Sequence, residues 1–377
     1  MRLQRALVAV AAVPLMLLAA CGGGGSADAA PNSADTAADA QAATERVAPS
    51  REQPTAITVS EPLVQRPPTG KKVFWLEGNI PAIQALTPGF RAATSPLGWE
   101  LSVLTYDATD PQGPSAAMQQ AVQGGADYIV VSGQTADILG QGLDAAKAAN
   151  IPVIDMYSTD EAMGAQNGLF ANVGGPDFSR VTATALTDFV ISDSGGDAKV
   201  LFVNIPDFAI LRIVADAVST GYGSNCAACE LTTLDMSTQD VAASNAASTI
   251  VSRLQADPGI DYVHVAIGDL ATGLPEALES AGLADRVKIV GSGPNQEQVQ
   301  SLIDGKSAAY TVFGRPESAW MAVDVMVRLS VGMDVDPQEH VQIPVWLLTP
   351  ETVPTPAQDY PGTAGHDEQF QKLWQLS

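Results

Sequence analysis

Between Lys71 and Gly293, short β-branched runs alternate with longer amphipathic stretches, and the alternation is completed twice. The first set of runs is KKVFWLE, WELSVLTYD, ADYIVVSG and IPVIDMY, with helix-like segments near 81–95, 114–124 and 135–149 between them. The second set is AKVLFVNI, CELTTLDM, YVHVAIGD and VKIVGSG, with helices expected near 176–193, 208–220, 238–256 and 271–282. Continuous apolar strands separated by helices bury both faces of a parallel sheet. Two consecutive units of similar length therefore predict an α/β fold of two doubly wound, Rossmann-like lobes. Their functional loops belong at the carboxyl ends of the strands, and the cleft between the lobes is the expected ligand site.

Composition narrows what such a fold can do. Hydrophobic residues make up 46% and charged residues 16% of the chain, which suits a large packed core. A formal charge of −23 argues against a nucleic-acid surface, which needs a lysine and arginine footprint. No Walker loop or G-x-G-x-x-G follows a strand, so no nucleotide cofactor is expected.

The first twenty residues join basic Arg2 and Arg5 to an apolar run from Ala6 to Ala20, too short for a comfortable transmembrane helix and readable as an export signal. The run ends in Leu18-Ala19-Ala20-Cys21, which resembles the lipobox of bacterial lipoproteins. That resemblance implies lipidation of Cys21, an anchor in the cell membrane and an extracytoplasmic location. Residues 21–70 follow with GGGGS, many alanines and no aromatic residue, and are expected to be a flexible tether reaching on the order of 40 Å. In an oxidising compartment Cys226 and Cys229 of C-A-A-C favour a structural disulfide over free thiols or redox chemistry. A zinc site would need two further ligands that nothing nearby supplies.

The segments GADYIVVSG, AAKAANIPVIDM, FANVGGPDFSR, DYVHVAIGDLATGLPEALESAGL, VKIVGSG and SAWMAVDVMVRLSVG carry a resemblance in their order and spacing. Over about 71–350 the chain is similar to type I periplasmic binding proteins, in particular the ribose-type substrate-binding lipoproteins of ABC importers. The resemblance implies a three-segment hinge near Phe170 to Gly174, Thr311 to Arg315 and Ile343 to Leu348. It places 71–172 with 314–342 in the N-terminal lobe and 173–313 with 343–377 in the C-terminal lobe. It also implies a monomer that captures a small molecule and delivers it to an ABC permease. A receptor of the same fold that signals to a membrane kinase is the alternative.

At the strand ends the chain departs from sugar binders of that family. Asn79-Ile80-Pro81-Ala82-Ile83 stands where a pair of ring-stacking phenylalanines is common, and Tyr157-Ser158 stands where an Asp-Arg pair grips hydroxyls. Ile267-Gly268 replaces an Asn-Asp, with Asp269 one step later. An unpaired buried hydroxyl costs about 1–3 kcal/mol, so a simple hexose is a poor fit. An aromatic or alicyclic ligand is expected, with a carboxylate for Arg212 or Arg315. The candidate ligand residues are Asn79, Ser132, Gln134, Tyr157 and Ser158 from the first lobe, Asp207, Phe208, Arg212 and Asp269 from the second, and Phe313 and Arg315 from the hinge.

Catalysis is not expected. Of three histidines, His264 alternates with valines in a buried strand, while His340 and His366 lie in late polar segments, His366 in an expected surface loop. None neighbours a nucleophile elbow or shows a helical metal-ligand spacing. Trp75 reads as core, and Trp320, opening a helix past a hinge, as core or ligand contact.

Overall fold

A computed structural model describes residues 33–335, 342–357 and 360–376. The export signal, Cys21 and His340 lie outside the described residues. The chain enters through helix α1 (Ser33–Val47) and then builds the first lobe. This lobe contains β1 (Lys72–Gly78), α2 (Pro81–Gln84), α3 (Thr87–Thr94), β2 (Glu100–Tyr106), α4 (Gly113–Gln123), β3 (Tyr128–Ser132), α5 (Ala136–Ala148), β4 (Val153–Met156) and β5 (Leu169–Val173). The second lobe runs through α6 (Pro176–Asp193), β6 (Lys199–Asn204), α7 (Ala209–Asn225), β7 (Glu230–Asp235), α8 (Thr238–Ala242), α9 (Ala246–Ala256), β8 (Tyr262–Val265), α10 (Leu274–Ala281), β9 (Lys288–Ser292), α11 (Gln296–Ile303) and β10 (Ala309–Val312). Helix α12 (Arg315–Ser330) packs on the first lobe, β11 (Trp346–Leu348) adds to the second sheet, and α13 (His366–Leu373) follows.

The first sheet has order β2-β1-β3-β4-β5 and the second β11-β10-β9-β8-β6-β7. Every pairing is parallel except β10 with β11. Strand β1 shows why the apolar runs are unbroken. Val73 and Trp75 face the core under α3 and α12, whereas Phe74 and Leu76 face the core under α4 and α5, so both faces demand apolar side chains. Proline opens the first turn of α2, α6 and α10, where its missing N–H leaves no bond unmade. The helix expected over 238–256 is divided into α8 and α9, because Ser244 takes a left-handed conformation at φ 57°.

The chain passes between lobes at Gly174–Gly175, at Phe313–Gly314 and again just before β11. Two further passages correct the expected organisation. The flexible-tether expectation fails from Ser33 onward: α1 packs along α6, and its Ala43 and Val47 are fully buried in the second lobe's core. Arg46 donates to Asp188 Oδ1 from Nε at 2.8 Å and from Nη2 at 2.6 Å, and Thr44 meets Ser192 at 2.6 Å. Alanine-rich composition is the best helix former once α6 supplies a face to cover. Ile57, Val59 and Leu63 then bury themselves in the first lobe.

The C-terminal segment is also shared rather than confined to the second lobe. Strand β11 joins the second sheet, but α13 returns to the first lobe, where Trp320 stacks on Trp374 at 5.2 Å and on Phe370 at 6.0 Å. Trp320 is therefore core, as is Trp75. His366 is not in a surface loop: it opens α13 and sets its ring edge-on to Trp320 at 6.1 Å. The returning segment crosses the second hinge backbone to backbone. A Cβ on Gly314 would lie 2.3 Å from Gly362 Cα.

Cys226 and Cys229 are bonded, closing the turn between α7 and β7. His264 is fully buried, with Nδ1 3.4 Å from the Tyr222 hydroxyl, and desolvation holds its pKa down to about 3. It is a neutral core residue.

Candidate functional site

Parallel strands aim their carboxyl ends at the inter-lobe cleft, and a cavity of about 190 Å³ lies there, lined from both lobes and the hinge. The first lobe contributes Ile80, Ala82, Ile83 and Leu86 after β1, with Ser132 and Gly133 after β3. The second lobe contributes Phe208, Ile210, Leu211 and Val214 around the start of α7, with Ala266, Ile267 and Asp269 after β8. Phe178, Ser179 and Thr182 enter from α6. Apolar surface dominates this wall.

An aromatic group joins the two lobes at the hinge. Phe178 meets Phe313 edge-on at 5.0 Å, and Tyr157 contacts both rings at 6.0 and 5.8 Å. Tyr157 reaches this place by leaving β4 in a left-handed conformation, φ 55°, with its amide donating to Val173 O at 2.8 Å. Burial pushes its hydroxyl pKa up to about 12, against the opposing influence of Ser318 and Arg315.

Charge is sparse in the cavity. Arg315 donates from Nη2 to Gly293 O at 2.9 Å and lies over the Phe313 ring at 5.7 Å. Burial raises the Asp269 carboxyl above the usual carboxylate range, and the nearby Arg315 charge only partly opposes this.

Six of the eleven residues named from sequence line this cavity: Ser132, Tyr157, Phe208, Asp269, Phe313 and Arg315. The other five are engaged elsewhere. Asn79 Oδ1 accepts from the Ala108 amide at 2.9 Å, fixing the loop after β2. Gln134 turns to the Tyr106 hydroxyl at 3.4 Å, and Ser158 accepts from the Asp160 amide at 3.1 Å. Asp207 Oδ2 accepts from the amide and hydroxyl of Thr238, which hold its carboxyl below the ordinary value. Arg212 donates from Nη1 to Pro206 O at 2.5 Å and does not line the cavity.

Sequence reasoning missed the aliphatic wall. Ile80, Ile83, Ile210, Leu211 and Val214 recur at helical spacing, a signal that resembles ordinary core until both lobes face one cavity. Phe178 lies within FANVGGPDFSR and in the helix expected over 176–193, but it is not among the candidate ligand residues. No histidine lines the cavity, and no cluster of metal-binding side chains occurs among the described residues. No described helix is long and apolar enough to cross a membrane.

Residues 73–334 match the family model of the periplasmic binding protein domain. The chain belongs to that family. No curated protein matches the sequence significantly. Solved structures share the fold at low identity. The 5-methylthioribose transporter solute-binding protein of Thermotoga lettingae superposes with a TM-score of 0.69 at 17% identity, covering 83% of this chain and 100% of its own. A glucose-galactose binding protein from Geobacillus stearothermophilus gives 0.65 at 17% identity, covering 76% and 99%. A periplasmic ribose ABC transporter protein from Conexibacter woesei gives 0.62 at 20% identity, covering 76% and 95%.

Proposed function

We propose that this protein is an extracytoplasmic solute receptor, anchored through a lipid on Cys21, which closes around one small organic molecule and delivers it as a monomer to the permease of an ABC importer. The observation that carries this reading is one cavity lined by both lobes and by the hinge. A ligand touching both lobes at once favours the closed arrangement over the open one, because the second set of contacts exists only when closed. The role is binding, in keeping with the periplasmic binding protein domain that residues 73–334 match.

The ligand is one with substantial apolar surface. A cavity of about 190 Å³ is somewhat larger than the roughly 150 Å³ that accommodates benzene, which suits a single ring with a short substituent. Solved relatives are named for glucose-galactose, ribose and 5-methylthioribose. The last combines a sugar with an apolar thioether end, and it is nearer to what this wall favours. Hexose hydroxyls would face Ile80, Ile83, Leu211 and Ile267 with few partners.

The test is to denature purified protein and identify released small molecules by mass spectrometry, alongside a thermal-unfolding screen. Stabilisation by monocyclic aromatic or alicyclic compounds supports the reading. Strong stabilisation by ribose or glucose and none by such compounds overturns the ligand class. For the anchor, Cys21→Ala should move the protein from the membrane fraction to the soluble one.

A further inference from the structure

The two charged groups of the cavity are in unequal states. Arg315 already spends donors on the second lobe's backbone: Nη2 on Gly293 O at 2.9 Å and Nη1 toward Pro294 O at 3.5 Å, with its guanidinium carbon over the Phe313 ring at 5.7 Å. A ligand carboxylate would meet a guanidinium that has two of its five donors already directed at backbone carbonyls. Asp269 is the opposite case. Its carboxyl lines the cavity beside Ala266 and Ile267 and makes no hydrogen bond among the described residues. Half-buried against apolar neighbours, with only the nearby Arg315 charge to support its ionised form, it faces the cavity as an acceptor without a hydrogen-bond donor.

Building on the cleft reading above, we infer that Asp269 anchors a cationic nitrogen of the ligand, an ammonium or amidinium donor, while the apolar body of the same molecule lies against the aromatic group at the hinge. An N–H donor supplies the hydrogen bond that the carboxyl lacks, and a positive charge stabilises the ionised carboxylate that the apolar wall disfavours. The overall charge acts in the same direction. A molecule with formal charge −23 draws cations toward its clefts and slows the approach of anions. The carboxylated ligand expected from sequence is thereby replaced by one of opposite charge.

Three probes with one carbon ring separate the possibilities: benzylamine, benzyl alcohol and benzoate, titrated into the full chain by calorimetry and thermal unfolding. Benzylamine should bind tightest, by about ten- to a hundredfold over benzyl alcohol, the range for a hydrogen bond to a charged group. Asp269→Asn should erase that advantage, so that benzylamine no longer binds tighter than benzyl alcohol. Benzoate binding tighter than benzylamine, no binding of benzylamine, or an advantage that survives Asp269→Asn overturns the inference. Phe313→Ala separates this failure from failure of the cleft reading. If it weakens every probe that binds while benzylamine shows no advantage, only the headgroup assignment falls; if it leaves all probe binding unchanged, the cleft itself is misplaced.

Discussion

Gly174 has no side chain because the ring of Tyr157 occupies the space where one would stand: a Cβ there would lie 2.4 Å from Tyr157 Cε1 and 3.0 Å from Ile343 Cδ1. Both residues are left-handed, at φ 72° and 55°: Tyr157 turns the chain out of β4, and Gly174 turns it out of β5 toward the second lobe. Gly174→Ala adds conformational strain to an overlap with a buried ring, so it should cost about 2–4 kcal/mol in urea unfolding. It should also displace the Tyr157 ring from Phe178 and Phe313. An alanine variant with unchanged stability would show that the ring moves aside freely.

The Arg46 and Asp188 pair makes the N-terminal helix part of the fold. Asp188 is 1% exposed and accepts both Arg46 donors on one oxygen. Arg46→Ala leaves that carboxylate buried without them, a loss of about 1–3 kcal/mol. Chains shortened to begin at Gln53 should lose more, because Ala43 and Val47 leave the core as well. Urea unfolding of the three proteins should rank them in that order. Equal midpoints would return α1 to the status of a tether.

Legibility in the sequence followed the number of partners each feature needs. Strands such as Tyr128–Ser132, buried along their whole length, announce themselves through continuous β-branched and apolar residues. Helix α1 did not, because SADTAADAQAATERV has weak amphipathicity of its own, and only the exposed flank of α6 gives Ala43 and Val47 somewhere to go. Helix α13 was hidden for the same reason, since Phe370 and Trp374 gain meaning only opposite Trp320. At the site, strand-end position points to Tyr157, Phe208 and Asp269, which line the cavity, whereas side-chain direction was invisible. Arg212 and Asp207 sit at the right strand end and face local backbone instead.

Asp155 links stability to pH with a definite sign. It is fully buried at the end of β4, and desolvation raises its carboxyl well above the usual range, with the Ser158 hydroxyl and Met156 amide opposing but not offsetting the effect. The folded state therefore holds its proton more tightly than the unfolded state. Its contribution is present below the unfolded carboxylate value and is lost as pH rises toward the folded value. Asp155→Asn removes this dependence. The variant should be more stable than wild type near neutrality, and the difference should shrink as pH falls from about 8 to about 5. Parallel curves for the two proteins would mean that Asp155 ionises in place.

Trp374 closes the C-terminal return to the first lobe. Its ring is fully buried on Trp320, its Nε1 donates to Asp324 Oδ1 at 2.7 Å, and Asp324 in turn receives Arg328 Nε at 2.7 Å within the same core. Trp374→Ala removes a large side chain and one donor from a buried carboxylate, so about 3–5 kcal/mol should be lost. Trp374→Phe keeps most of the ring and loses the donor, isolating the hydrogen bond at about 1–3 kcal/mol. Because Gly362 rests on Gly314 at the second hinge, loosening α13 should also change closure. Small-angle scattering with and without ligand would show a larger change in radius for Trp374→Ala than for wild type. An unaltered change would mean that the C-terminal return supports the lobe without restraining the hinge.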